Sequence, residues 1–185
     1  MYFIEQITTL LDGLESPLVA VYFLCCSERL FPMYKAFSRK NNWGNEQHLR
    51  KIMNILWENV NSEAILSYEE FVNDINKQIP HVDDFDALET TIAQDVCICV
   101  DAALQALCNK PKTSLIEYAF EPFRLSICYQ KTGYLDVGSD GEEEFEQLLI
   151  KDLRILSEFK YQDEDLLFIQ KSDGVSLDDI KKTEV

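Results

Sequence analysis

The sequence predicts an all-α protein, a single-domain helical bundle of about seven or eight helices with proline kinks. Three observations predict it. Apolar residues recur with a helical period along most of the chain, no stretch sustains the apolar–polar alternation of a strand, and helix start and stop signals separate the periodic segments. The chain has 185 residues, of which 46% are hydrophobic, enough for one sizeable core. We expect one domain over residues 1–171 and a polar C-terminal tail over residues 172–185.

The first two helices are marked by their apolar residues and by a cap. A short helix at residues 4–14 is followed by a second helix, which Ser16 caps and Pro17 opens. The second helix is apolar on all sides through Cys26, so we expect it at the centre of the domain. Pro32 should kink or end it, because proline lacks the N–H that the helix needs.

The next three helices follow a turn at residues 42–45. One has a helical period over residues 49–60, and the next begins at a capping box at residues 67–70 and is stopped by Pro80. A long helix from about Ala87 to Cys108 is then capped by an aspartate, which is one of Asp83, Asp84 and Asp86.

The last third of the chain contains the remaining predicted helices. Thr113 starts a helix towards Lys131, with a kink at Pro122. An acidic stretch at residues 142–146 starts another helix, which runs to Phe159, and residues 166–169 form a last short helix.

The charge of the chain is strongly negative and unevenly distributed. It has 17 basic and 33 acidic residues, a net charge of −16. Such a field disfavours direct binding to nucleic acid or to an anionic membrane, and it favours a basic partner or simply high solubility. Residues 29–51 have a net charge of +5, whereas residues 58–101 have a net charge of −10.

The cysteines predict a reducing compartment. The chain has six cysteines, all inside apolar runs, and no C-x-x-C pair or signal peptide. Buried reduced thiols are typical of the cytoplasm, so we expect a cytoplasmic protein. The longest apolar run, residues 17–26, is too short to span a bilayer.

Charged residues inside these apolar segments are the candidate site. Asp95 and Arg29 both have apolar neighbours one helical turn away, so we expect them to be buried and to form an ion pair. The alternative is a carboxylate with a shifted pKa, used for acid–base chemistry or for holding a ligand. Glu28, Asp84 and Asp86 complete this candidate cluster, and Glu28 either extends the network or faces solvent.

Metal and cofactor chemistry is disfavoured by the spacing of the residues that would supply it. The chain has no Glu-x-x-His motif of a di-iron bundle, and His81 with its neighbouring aspartates lacks the glycine and distal glutamate of a calcium hand. No G-x-S-x-G, G-x-G-x-x-G or phosphate-binding loop is present. We therefore expect no metal, no cofactor and no catalytic residue of an ordinary hydrolase or nucleotide enzyme.

A second candidate site is the basic segment around the turn at residues 42–45. Lys35, Arg39 and Lys40 precede Trp43, and a basic loop with an aromatic residue can bind a partner or an anion. The alternative is a solvated face whose basic side chains pair with neighbouring acids.

Several of these residues also carry a resemblance to a known family. They are the run Ser27–Tyr34, then Trp57, Pro80, Asp84-Phe85-Asp86, and Ala93 with Asp95. With these, the chain resembles the YjaG-like bacterial proteins, domain-of-unknown-function family 416, from about Leu10 to Thr132. The resemblance implies a small cytoplasmic all-α protein and supplies no catalytic residues.

Three functions from different classes are consistent with the sequence. The first is a non-enzymatic interaction protein, such as an immunity protein that binds a basic, nuclease-type toxin. The second is an enzyme or small-molecule sensor that uses a buried Glu28/Arg29/Asp95 cluster. The third is a homodimer built on an apolar surface.

Overall fold

Every regular element that the structure describes is a helix. The structure is a computed structural model, and it describes residues 9–62, 66–81, 83–85, 87–110 and 153–171. The described helices are α1 (residues 9–12), α2 (Ser16–Asn41), α3 (Glu46–Asn59), α4 (Tyr68–Asn76), α5 (Ala87–Leu107) and α6 (Leu153–Lys171). The all-α prediction is confirmed. The described part holds six helices, and the predictions for Asp86, Pro122, residues 111–150 and the tail lie outside it.

The core is built on the pairing of α2 with α5. Helix α2 buries a continuous stretch from Val19 to Ser27, as its lack of a polar face predicts. Helix α5 buries Ala93, Ala103 and Ala106, whose small side chains let the two helices approach closely. Each large apolar side chain buried there stabilises the fold by about 1.5–3 kcal/mol. The predicted bounds of α5 agree with the observed ones to within one residue.

Helix α2 begins one residue earlier than predicted, and it does not end at Pro32. Of the two predicted effects of Pro32, a kink or an end, the end is excluded, because α2 continues for nine more residues to Asn41. Leu30, Tyr34 and Phe37 are buried on either side of the proline, so packing outweighs the missing hydrogen bond, and Pro32 itself faces solvent. Ser16 is already helical, so the N-cap residue is Glu15 rather than Ser16. The Glu15 side chain makes no capping hydrogen bond.

The turn between α2 and α3 is where predicted. Asn42 ends α2 in the left-handed conformation, with φ 50°. The Asn45 side chain caps α3 by accepting a hydrogen bond from the backbone N–H of His48 at 3.0 Å. Ser67 is the N-cap of α4, as predicted, but it makes no side-chain capping bond.

Helix α6 is one continuous helix. The sequence predicts two helices in this region, one that ends at Phe159 and a separate short one at residues 166–169. Helix α6 runs without a break from Leu153 to Lys171, since no proline or glycine interrupts it. Leu166 and Ile169 are buried on its inner face, so residues 166–169 are part of α6 rather than a separate helix.

One described segment has the length and composition of a membrane span. This segment is Glu89–Leu107. Its most apolar 18-residue stretch has a mean hydropathy of 1.2, and 67% of that stretch is buried in the fold. A core helix passes the same test, so this is weak evidence for a membrane.

Candidate functional site

Glu28 points from α2 towards α3. Its carboxylate accepts hydrogen bonds from Arg50 Nη1, the closer at 2.5 Å and the other at 2.7 Å, and from Trp57 Nε1 at 3.2 Å. The Arg50 guanidinium also lies over the Phe31 ring, 4.0 Å from its centroid. These contacts join α2 to α3, and they place Glu28 in an ion pair with Arg50 that is separate from the Arg29–Asp165 pair.

Arg29 points in a different direction, towards α6. Consecutive residues of a helix project about 100° apart, which separates Glu28 from Arg29. The Arg29 guanidinium forms an ion pair with Asp165 of α6 and donates a hydrogen bond to Cys26 Sγ at 3.5 Å. Two turns before Arg29, Tyr22 Oη donates to Gln162 Oε1 at 3.0 Å.

Asp95 lies in the core beside two thiols. It is 1% exposed. Burial raises the pKa of the Cys97 thiol, and the charge of Asp95 raises it further. The pKa of Cys99 is raised by burial, then by Cys26 and Asp95, and Arg29 opposes these effects. Arg29 and Asp95 therefore lie within electrostatic range of the same thiol, while the ion pair seen for Arg29 is with Asp165.

The four described members of the candidate cluster thus lie in four different places. Glu28 is between α2 and α3, and Arg29 is between α2 and α6. Asp95 is in the core, where its charge and that of Arg29 both act on the Cys99 thiol, whereas Asp84 is exposed in the loop before α5. A direct Arg29–Asp95 ion pair stays a prediction.

The buried Tyr22 hydroxyl and the thiols of Cys97 and Cys99 are neutral side chains. Burial raises the pKa of the Tyr22 hydroxyl, and it raises those of Cys97 and Cys99 as well. A thiol is a nucleophile only as a thiolate, so these buried thiols are inert at neutral pH. Among the described residues, no three His, Cys, Asp or Glu side chains group together as metal ligands.

The basic segment makes ion pairs with acids of the same chain. Arg39 forms a bidentate ion pair with Glu46, in which Nε donates to Oε2 at 2.9 Å and Nη2 donates to Oε1 at 2.6 Å. Lys40 Nζ donates to both carboxylate oxygens of Glu89 at 2.8 Å. The pKa of Glu46 is lowered mainly by the hydrogen bond from Arg39, and Lys35 lowers it slightly.

Trp43 packs against the fold instead of standing at the tip of a loop. Its ring meets the Phe85 ring edge-on, with centroids 5.6 Å apart, and Phe85 in turn packs on Phe37 at 5.3 Å. The Trp43 ring therefore helps to fix the turn between α2 and α3 against the loop that precedes α5.

The sequence alone did not reveal the partners of Tyr22 and Arg29. Gln162 and Asp165 share the inner face of α6 with Leu166 and Ile169, and their i, i+3 spacing within that stripe was the available signal. Gln78 was missed as well. Its side chain accepts from Asn45 N–H at 2.7 Å and its amide oxygen lies 3.3 Å from Tyr34 Oη, which ties the turn to the end of α4.

Comparison with solved structures supports this helical architecture. The fold matches the crystal structure of a DUF416 family protein from Shewanella baltica OS155, with a TM-score of 0.79 and 16% sequence identity. The match covers 95% of this chain and 90% of that one. At this level of identity the likeness shows the fold alone.

Sequence comparison finds relatives in enteric bacteria. The chain is 26% identical over 118 residues to "Uncharacterized protein YjaG" of Escherichia coli strain K12, and 25% identical to that of Salmonella typhimurium. Each match covers 63% of this chain and 59% of the relative, so the chain spans about three fifths of the length of these curated relatives. A family profile described as "Protein of unknown function (DUF416)" matches residues 6–183, almost the whole chain. The chain therefore belongs to the DUF416 family.

Proposed function

We propose that this protein is a non-enzymatic binding protein that recognises a basic protein partner. The distribution of charge is the observation that carries the proposal. The chain has a net charge of −16, and the basic side chains of its one positive segment are largely engaged by its own acids. Those pairs are Arg29–Asp165, Arg39–Glu46, Lys40–Glu89 and Arg50–Glu28.

The excess of acid is available to a partner. Glu58, at the end of α3, and Glu69 and Glu70, in the first turn of α4, are exposed. A field of one sign speeds encounter with a partner of opposite charge and suppresses binding to partners of like charge. Because the thiols in the core are held neutral, binding is better supported than catalysis.

The finer proposal is that the partner is a basic, nuclease-type toxin and that the protein acts as its immunity protein in the cytoplasm. The buried reduced thiols support that compartment. Co-expression with the product of a neighbouring toxin gene tests it. Protection from the toxin supports this version, and failure to bind or protect against any adjacent product removes it.

The general proposal is tested by an affinity capture from native lysate at low salt, followed by titration of the purified partner. We expect a partner with an isoelectric point above about 9 and a Kd that weakens as salt rises. The variant Glu58→Gln/Glu69→Gln/Glu70→Gln should slow association. An acidic or neutral partner with salt-independent affinity would overturn the proposal.

The matched control removes charge of the opposite sign. Lys35→Gln/Arg39→Gln/Lys40→Gln alters the segment that sequence analysis offered as a partner surface. It should leave binding intact or strengthen it, because the variant makes the chain more acidic. If this control abolishes binding while the glutamate variant does not, the partner is anionic and the proposal is wrong.

The second candidate is an enzyme or small-molecule sensor, and the burial of Asp95 is the observation that favours it. A carboxylate 1% exposed beside Cys97 and Cys99 is a feature that ligand sites share with structural cores. A thermal-shift screen of nucleotides, amino acids and organic acids on wild type and Asp95→Asn separates the two. A ligand that stabilises only the wild type supports a site, whereas a destabilised variant with no ligand response supports a structural role.

A further inference from the structure

A cation of the chain itself rests on an aromatic ring where α4 meets the end of α5. The Nζ atom of Lys110 lies over the Tyr68 ring, 4.8 Å from its centroid, within the range of a cation–π contact. Lys110 is exposed, whereas Tyr68, the first residue of α4, is partly buried against the core. The face of this ring therefore accepts a positive charge at the surface of the protein.

The backbone at the end of α5 brings Lys110 to this position. Asn109 is in the left-handed conformation, with φ 54°. The Asn109 N–H donates to the Ala106 carbonyl at 3.0 Å, and the Lys110 N–H donates to the Gln105 carbonyl at 3.0 Å, which is the pattern of a Schellman C-cap. The cap fixes the backbone of Lys110, while its long, flexible side chain can leave the ring without disturbing the helix.

An acid lies on the hydroxyl side of the same ring. Tyr68 Oη donates to Asp101 Oδ1 at 3.4 Å, and Gln105 Nε2 donates to Asp101 Oδ2 at 2.6 Å. Burial raises the pKa of Asp101, and these two hydrogen bonds offset the effect only in part. A carboxylate that is partly desolvated and hydrogen-bonded by neutral groups is stabilised by a nearby cation. Asp101 therefore favours a positive charge at the Tyr68 ring.

A second acid acts at the same place. Burial raises the pKa of the Cys108 thiol, and the charge of Lys110 opposes this effect. The charges of Glu69 and Asp101 raise the same pKa further, so both acids and the lysine act on one thiol. Glu69 is exposed and follows Tyr68 in the first turn of α4. We define the docking site as Tyr68, Glu69 and Asp101. It has two acids against the one charge of Lys110.

On the basis of the proposed function, we propose that a lysine or arginine side chain of the basic partner binds at the docking site, and that Lys110 occupies this site until the partner displaces it. The incoming cation takes the place over the Tyr68 ring, between the charges of Glu69 and Asp101. The displaced Lys110 side chain moves to solvent. Lys110 is therefore a competitor within the chain, and it lowers the affinity of the docking site for the partner.

A peptide of eight lysines, titrated into the full chain at about 150 mM salt, probes the docking site. Salt at this concentration screens the more distant charges. Two-dimensional NMR gives a Kd from the amide shifts of Tyr68 and Asp101, so that binding elsewhere on the acidic surface is not counted. Lys110→Gln should tighten this Kd by about threefold or more, because the peptide no longer competes with a tethered cation.

The matched control removes a lysine from another part of the surface. Lys77, which follows α4, is 70% exposed and pairs with Asp74 at 2.8 Å. Lys77→Gln changes the net charge by the same amount as Lys110→Gln, and it should change the Kd at the docking site by less than about 1.5-fold. If the two variants tighten binding equally, only the net charge matters and the docking site is refuted.

Two variants of the docking site should have the opposite effect. Tyr68→Leu removes the ring and Asp101→Asn removes the charge, and each should weaken the Kd for the peptide by about threefold or more. Asp101→Asn keeps the size of the side chain, so it answers if Tyr68→Leu does not fold. A folded Asp101→Asn variant with the wild-type Kd would overturn the proposal.

The captured partner separates this proposal from the proposed function. A basic partner whose affinity falls with salt, and is tightened by Lys110→Gln more than by Lys77→Gln, supports both. A basic partner whose affinity falls with salt, but responds equally to Lys110→Gln and Lys77→Gln, refutes the docking site and leaves the proposed function standing.

Discussion

Substitution of Glu28 by glutamine should destabilise the fold. The substitution keeps the size of the side chain and removes its charge. It leaves the Arg50 guanidinium over the Phe31 ring without its carboxylate, and it weakens the bond from Trp57 Nε1. We expect Glu28→Gln to loosen the attachment of α3 to α2.

The size of the effect follows from the exposure of the pair. Breaking a buried ion pair from one side costs about 3–5 kcal/mol, and an exposed pair is worth about 0–1 kcal/mol. Glu28 is 19% exposed and Arg50 is 32% exposed, so solvent screens the pair in part. Glutamine also still accepts one hydrogen bond. We therefore expect a loss of about 1–2 kcal/mol in the free energy of unfolding.

Urea denaturation followed by circular dichroism at 222 nm measures this loss. With an m-value near 2 kcal/mol/M, the midpoint should fall by about 0.5–1 M with the slope unchanged. The control is Glu46→Gln, which removes the bidentate pair with Arg39, whose side chain is 63% exposed. The control should keep the wild-type midpoint. Equal midpoints for Glu28→Gln and Glu46→Gln would refute the reasoning, because burial would then have no bearing on the two pairs.

Two further predictions concern the turn between α2 and α3. Gly44→Ala should lower stability by about 1–3 kcal/mol in a thermal melt, because φ is +66° and a Cβ would lie 2.5 Å from Tyr34 Oη. Gly13→Ala, whose Cβ would be 3.5 Å from Leu10 O, should be tolerated, and equal losses would contradict the account. Burial raises the pKa of Tyr34, so its contribution to stability is complete below the unfolded value of about 10 and is lost as pH rises above it. The urea midpoint of Tyr34→Phe should therefore fall less steeply than that of wild type between about pH 9.5 and 11, and parallel curves would show that Tyr34 does not contribute.

The helices that could be predicted are those whose periodicity and caps agree. The sequence predicts α5 from about Ala87 to Cys108 and the helix runs from Ala87 to Leu107, because the aspartates before it mark its start. For α2, Pro32 predicted either a kink or an end of the helix, and the sequence could not decide between them. A local rule about a missing hydrogen bond could not include the burial of Tyr34 and Phe37, which depends on the whole fold.

The burial of Asp95 could be predicted and Arg29 is only partly exposed, at 17%, but their partners could not be predicted. Apolar neighbours at helical spacing placed Arg29 and Asp95 in the interior, and Asp95 is 1% exposed. The ion-pair partner of Arg29, Asp165, is 136 residues away, and no sequence pattern connects the two. Glu28 and Arg50 are 22 residues apart on consecutive helices, and only the geometry of packing brings them together.

We propose that the negative charge of this chain binds a basic protein partner. The Kd for the purified captured partner, measured by calorimetry from about 50 to 300 mM salt, tests it most directly. Screening over that range should weaken binding by about tenfold or more. The affinity of the Glu58→Gln/Glu69→Gln/Glu70→Gln variant should weaken less than that of the wild type over the same range of salt. A Kd that does not change with salt, or that weakens equally in both proteins, would contradict the claim.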